Sequence, residues 1–170
     1  DLKRLVEKCQ ERKQQLSVFE VLTIATQLGD ALVALKKAKI LHGDVALRNV
    51  FLQWDPDSRA LCVKLGDFGL CCDLGDSKTV KGRELYSAHM APEIVDDEAE
   101  YNEQVDVYAF GVVLYELLSG DLQIQFNPYR AAKRAEMRDV KAPHASPVLV
   151  KLCRDCLSQK PQDRPTIDKV

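Results

Sequence analysis

Leu2, Leu5, Val6 and Cys9 recur at helical spacing, so the chain is predicted to open on an amphipathic helix. The polar run Gln10 to Gln15 ends it. Ser17-Val18-Phe19-Glu20 then has the form of a capping box, in which hydroxyl and carboxylate each satisfy the other residue's backbone N–H. Leu16 and Val21 stand where a hydrophobic staple would close over that turn. From there Leu22, Ala25, Leu28, Leu32 and Leu35 trace one face of a long helix. It ends in Lys36-Lys37-Ala38-Lys39, where cations suit the negative end of the helix dipole better than they suit a binding patch. Ile40-Leu41 reads as a short strand.

The period then changes to two. Val50 to Trp54 reads as a strand, Asp55-Pro56-Asp57-Ser58 as a turn, and Leu61 to Leu65 as the returning strand with Leu61, Val63 and Leu65 on one face. Leu70 to His89 has no steady period and is read as irregular. A third helix begins at Asn102 or Glu103 and runs to Leu118, with Gly120 as its stop. It is apolar nearly all round, which predicts a buried central helix. Asp106 is its lone early acid. If buried, it needs donors; if exposed, it is a first-turn acid favoured by the dipole. Further on, Asn127-Pro128-Tyr129 marks a turn and Arg130 to Arg138 a polar helix. Ser146 and Pro147 open a further helix, lined on one face by Leu149, Leu152, Cys153, Cys156 and Leu157, and a last helix is expected to begin just before Val170. The fold class is therefore mainly α (α+β), with the Val50–Leu65 hairpin as its main β element.

The length, 170 residues, fits one domain or part of one. A formal net charge of −2 supplies no basic footprint for nucleic acid. No apolar run looks long enough to span a membrane, and the N-terminus is not a signal peptide. The six cysteines sit in apolar or helical contexts and read as reduced, which places the chain inside the cell. Cys153-x-x-Cys156 lacks the second ligand pair that a structural zinc would need.

Candidate chemistry collects around the hairpin. Its two strands would bring Asp67 back beside Asn49, five residues after Asp44. One free carboxylate, one amide oxygen and a second carboxylate suit a hard cation such as magnesium. The same set suits phosphoryl transfer, which needs positioned metal ions and a carboxylate near the attacking hydroxyl.

The stretches that carry these residues, HGDVALRN (His42 to Asn49) and GDFG (Gly66 to Gly69), resemble the catalytic and metal-binding loops of the eukaryotic protein kinases. Asp-Phe-Gly alone is a common turn; the two motifs at this spacing are specific. Ala46 and Arg48 after Asp44 follow the tyrosine-kinase style. Met90-Ala91-Pro92-Glu93, the Asp106 helix and Pro161-Gln162-Asp163-Arg164-Pro165-Thr166 extend the resemblance over nearly the whole chain.

The resemblance implies Asp44 as the base that orients the substrate hydroxyl, with Arg48 and Asn49 beside it in the catalytic loop. It implies Asn49 and Asp67 as the Mg2+ ligands, and Asn49, Phe51 and Asp67 as the residues that meet ATP. His42, Phe68, Glu93, Asp106 and Arg164 are implied as structural support, Asp106 accepting backbone hydrogen bonds from the catalytic loop and Arg164 pairing with Glu93. It implies a protein kinase acting on a protein hydroxyl, tyrosine before serine or threonine, in the cytoplasm or on the cytoplasmic side of a membrane receptor. Residues 1–170 then form the large helical lobe only. No glycine-rich phosphate loop, strand lysine or glutamate partner precedes Asp1, so this chain alone is expected to be inactive.

Departures from the family pattern bear on detail. Gly43 stands where an arginine commonly precedes the catalytic aspartate. Phe51 replaces a leucine under the adenine ring. Tyr86-Ser87-Ala88-His89 replaces a proline, a basic residue and a tryptophan. Ser77, Thr79 and Tyr86 are the hydroxyl residues of the activation segment, open to a regulatory or a merely solvated role. Two other functions stay open: a pseudokinase scaffold, and a small-molecule phosphotransferase of the aminoglycoside or choline kinase type, whose own loop is close to His-Gly-Asp followed by Asn49. Glu93, Asp106 and Arg164 weigh toward the protein kinases.

Overall fold

Four α-helices, five 3-10 turns and three two-stranded antiparallel sheets make up the described part of the computed structural model, residues 1–75, 80–81, 90–95, 100–120, 122 and 145–170. Helix α1 (Leu2–Glu11) starts where the Asp1 side chain accepts from the Arg4 amide at 2.9 Å, and it buries Leu2 and Val6. Helix α2 (Val18–Lys37) carries the expected capping box: the Ser17 amide donates to Glu20 Oε2 at 2.7 Å and the Glu20 amide to Ser17 Oγ at 3.3 Å. The Ser17 bonds hold the Glu20 carboxyl below its ordinary range.

The buried face of α2 is Val21, Ile24, Ala25, Leu28, Gly29 and Leu32. This corrects the expected stripe, because Leu22 is exposed. The reason is geometric. Steps of three residues drift around a helix with 3.6 residues per turn, so Leu22-Ala25-Leu28 leaves the face that Val21-Ile24-Leu28 keeps. A second correction concerns membranes. By length and composition α2 is long and apolar enough to cross one, although its buried face packs into the core of this domain. At its C-terminus Lys36 pairs with Asp168, so that basic end ties down the last turn of the chain as well as suiting the dipole.

Strand β1 (Ile40–Leu41) follows as expected. Strands β2 (Val50–Asp55) and β3 (Ala60–Leu65) form the hairpin, in register from Val50↔Leu65 to Asp55↔Ala60. Asp55 closes the turn by accepting from the Asp57 amide at 3.0 Å and from Ser58 Oγ at 2.5 Å. The stretch read as irregular contains β4 (Cys72–Asp73) and β5 (Val80–Lys81), which pair with β1 and with β6 (Glu100–Tyr101). Strands of two residues leave no period to detect.

Helix α3 (Gln104–Ser119) is buried at every position from Val105 to Leu117, as its apolar composition predicts. Asp106 is not its lone buried acid: Glu116 is buried as well. Gly120, at φ 68°, ends it in the left-handed conformation that favours glycine. Helix α4 (Pro147–Cys156) has Pro147 in its first turn, but the Ser146 side chain makes no capping hydrogen bond. It crosses α3 at Gly111, where a Cβ would lie 2.7 Å from Cys156 Cβ. Burial in that contact pushes the Cys153 thiol up to about 12. The chain closes in a 3-10 turn, Ile167–Lys169, with Ile167 in the core. Ser77, Thr79, Gly82, Tyr86 to His89, the Asn127-Pro128-Tyr129 turn and the Arg130–Arg138 helix lie outside the described residues.

Candidate active site

The loop from His42 to Asn49 is hung from α3. Asp106 is 2% exposed, and its two carboxylate oxygens accept from the His42 amide at 2.8 Å and the Gly43 amide at 2.9 Å. Burial pushes the Asp106 carboxyl up to about 6, against the pull of those two N–H groups, so it is ionised at neutral pH. Of the two readings of this acid, the buried one holds. Gly43 itself has φ 76°, a conformation that L side chains rarely adopt.

His42 joins this loop to the end of the hairpin. Its Nδ1 accepts from the Asp44 amide at 3.3 Å and its Nε2 lies 3.2 Å from the Gly66 carbonyl, so the proton sits on Nε2. Burial lowers the His42 pKa, against the raising effects of the Gly66 carbonyl and of Asp44 and Asp67. The ring is therefore neutral near pH 7. It packs at 58° against Phe68, with centroids 5.2 Å apart.

Asp44 is nearly buried. Arg48 Nη2 donates to its two oxygens at 2.6 and 2.7 Å. Asn49, in the 3-10 turn Leu47–Asn49, turns its Nδ2 onto the Asp44 carbonyl at 2.8 Å and Asp44 Oδ2 at 2.7 Å. The amide nitrogen is thus committed, and Oδ1 is the end of Asn49 that can face a cation. Asp44 also lines a crevice with Gly43, Met90, Ala91 and Asp106.

The hairpin closes on the same place. The Gly66 amide donates to the Asn49 carbonyl at 2.9 Å, which puts Asp67 one residue from the end of the Asp44 loop. Asp67 is exposed, has φ 62°, and accepts from the Gly69 amide at 3.3 Å. Phe51 is half-exposed on the neighbouring strand. Its ring lies 3.0 Å from where a Cβ on Gly66 would be, so a larger residue there would push the ring outward by a few tenths of an ångström.

Two hard oxygens, Asn49 Oδ1 and the Asp67 carboxylate, fit a magnesium ion that takes its other ligands from phosphate and water. Among the described residues no group of three or more His, Cys, Asp and Glu side chains could hold a metal by itself. A cation shared with a nucleotide is the arrangement that these donors suit.

Glu93 and Arg164 form a separate anchor. Arg164 meets Glu93 through Nη1 at 2.6 Å and Nη2 at 2.8 Å. It also donates to the carbonyls of Ser158, Gln104 and Gln159 at 2.8, 2.8 and 3.2 Å, which engages all five guanidinium N–H groups. Gln104 opens α3, two residues before Asp106. The first turn of that helix therefore holds both the anchor and the loop.

Sequence reasoning missed three residues here. Tyr108 lies under the Arg164 guanidinium at 4.9 Å, Cys71 Sγ lies 3.5 Å from the His42 carbonyl, and Gln27 binds β3 from α2. Of these, Gln27 gave no signal in the sequence, because Thr23, Thr26 and Asp30 share its side of α2 and it reads as part of the polar face.

A family model described as protein tyrosine and serine/threonine kinase matches residues 1–170. The chain is 30% identical over 159 residues to the serine/threonine/tyrosine-protein kinase HT1 of Arabidopsis thaliana, covering 91% of this chain and 39% of that protein. It is 29% identical over 163 residues to the probable serine/threonine-protein kinase gdt4 of Dictyostelium discoideum, covering 91% of this chain and 10% of that protein. The chain thus spans well under half the length of these relatives.

Proposed function

The chain belongs to the protein tyrosine and serine/threonine kinase family, and we propose that it is the large helical lobe of a kinase that transfers the γ-phosphoryl group of ATP to a protein hydroxyl, tyrosine before serine or threonine. In this reading a longer protein supplies the lobe that covers the nucleotide, and the kinase works in the cytoplasm or on the cytoplasmic side of a membrane receptor. The observation that carries it is the meeting of Asp44, Asn49 and Gly66-Asp67 on one frame, tied by the Asn49–Gly66 bond and by Asp106 beneath the loop.

Asp44 orients the incoming hydroxyl and takes its proton as the oxygen attacks. Arg48 fixes the direction of that carboxylate by donating to both of its oxygens. Asn49, bonded to Asp44 through Nδ2, ties the base to the metal side of the site. Asn49 Oδ1 and Asp67 would hold Mg2+, which when bound neutralises phosphate charge. Phe51 floors the nucleotide base. Glu93 and Arg164 anchor the segment that presents the acceptor.

The test is magnesium-dependent ATP turnover by the full-length protein on tyrosine, serine and aminoalcohol acceptors. Transfer to tyrosine or serine is expected, and should disappear in Asp44→Asn. Bound nucleotide without turnover on any acceptor would replace this reading with a pseudokinase scaffold. Turnover on the aminoalcohol alone would replace it with a small-molecule phosphotransferase.

A further inference from the structure

We propose that Gln27, on α2, is a positioning residue for Asp67, holding β3 so that the strand delivers the metal-side carboxylate in place. The proposal rests on the kinase reading above for the role of Asp67, and on hydrogen-bond geometry for the rest.

Strand β3 has two edges, and β2 pairs with only one. In an antiparallel pair the residues alternately direct their backbone groups toward the partner and away from it. Leu61 and Val63 are two apart and share one orientation. The Leu61 carbonyl accepts from Gln27 Nε2 at 2.8 Å, and the Val63 amide donates to Gln27 Oε1 at 2.8 Å. One side-chain amide therefore supplies the donor and the acceptor that a third strand would supply. Gln27 stands on a rigid support, because Ile24 and Leu28 beside it are buried. Sites held on packed helices are placed more closely than sites held by loops.

Asp67 needs outside support. It is exposed, its own side chain makes one long bond at 3.3 Å, and its positive φ is unfavourable for a residue with a Cβ. Such a conformation persists only where the surroundings over-determine it. Gly66, just before it, is gripped from the catalytic loop by the Asn49 carbonyl and by His42 Nε2. Those contacts all come from one side. Gln27 grips the strand that feeds Gly66 from the other side, and its side-chain bonds go to neither Asp44, Arg48 nor Asn49. It can therefore set Asp67 without setting the base.

The experiment uses the full-length protein with Gln27→Met, which removes both bonds at similar volume, and Gln27→Glu, which cannot donate to the Leu61 carbonyl. Val21→Ala, a core truncation on the same helix, is the control for stability lost in general. Amide exchange at Gly66 and Gly69 is read without ligand, and the Mg2+ requirement of ATP turnover is read separately. The expected result is exchange faster by about tenfold at both glycines, the scale of one lost hydrogen bond. The Mg2+ concentration at half-maximal turnover should rise, while kcat at saturating Mg2+ stays close to that of the unsubstituted protein. Val21→Ala should move neither reading. Unchanged exchange at Gly66 and Gly69 in both Gln27 variants overturns the proposal. Faster exchange with an unmoved Mg2+ requirement overturns it too, leaving Gln27 a structural clamp. Absence of magnesium-dependent turnover in the unsubstituted protein is a separate result: it overturns the kinase reading, and exchange alone then decides whether Gln27 holds the loop.

Discussion

Asp106→Ala removes a carboxylate that is 2% exposed and strands two buried donors, the His42 and Gly43 amides. Leaving buried donors unpaired costs about 1–3 kcal/mol. A second contribution acts the other way. The Asp106 carboxyl titrates at about 6 in the folded chain against an ordinary 3.8. That gap of about two pH units, at about 1.4 kcal/mol per unit, amounts to about 3 kcal/mol. The sign follows from proton binding. Between pH 4 and pH 6 the folded chain holds a proton that the unfolded chain has released, so stability falls as pH rises through this window. Asp106 contributes fully below the ordinary carboxylate value and loses that contribution as pH passes about 6.

The two contributions separate by pH. Asp106→Ala should lower the denaturant midpoint most below pH 4 and progressively less as pH passes about 6, raise amide exchange at His42 and Gly43, and flatten the pH slope between 4 and 6. Asp106→Asn keeps one acceptor, flattens the same slope, and should lose less stability than the alanine variant. Denaturant midpoints at four pH values, with exchange measured at the two amides, decide the matter. Parallel pH profiles for the wild type and both variants would refute the reasoning, as would unchanged exchange at His42 and Gly43. Either result would make Asp106 an ordinary first-turn acid.

Asp44→Asn should cut turnover by about 10²–10⁴-fold, the range for a lost positioned base, with nucleotide affinity near that of the wild type; steady-state kinetics and ATP titration on the full-length protein check this. Asp67→Asn should instead weaken metal–nucleotide binding and turnover together, as the Mg2+ titration of the same assay will read. Glu93→Gln leaves a fully engaged, buried guanidinium without its charge partner and should lower stability by about 3–5 kcal/mol, visible as a lower urea midpoint. Gly111→Ala would drive a Cβ to 2.7 Å from Cys156 Cβ; it should destabilise by about 1–3 kcal/mol, and an unchanged melting temperature would show that α3 and α4 separate at little cost.

What could be read from the chain follows from how far each pattern extends. Helices α1, α2 and α3 and the hairpin each show enough turns or alternations for their period to appear in the residues themselves. The meeting of Asp44, Asn49 and Asp67 was legible for the same reason, because a hairpin with a dense turn must bring its two ends together. The pairings β1–β4 and β5–β6 were not, since two-residue strands carry no period and their partners lie about twenty or thirty residues away. The depth of the stripe on α2 was misjudged at Leu22, where spacing by threes drifts off the buried face.

The polar residues that position the site divide in the same way. Asp106 stood out because α3 is apolar nearly all round and it is the one acid of the first turn, so its place there has to be explained. Gln27 did not, because α2 shows solvent a polar face, and one amide among its apolar residues looks like part of that face. Yet both make the same kind of contact, a side chain from a packed helix that takes the place of missing backbone partners. Arg164 extends the argument. Its charge and its match to Glu93 could be read in the residues, but three of its five N–H bonds go to carbonyls of Gln104, Ser158 and Gln159, and any residue type offers a carbonyl. A partner that is backbone leaves no mark on residue identity. The signal that remains is on the side-chain half of each contact: a polar group where the hydrophobic period calls for none. Gln27 meets that criterion less well than Asp106, because Thr23, Thr26 and Asp30 share its side of α2, and only its contact with β3 sets it apart.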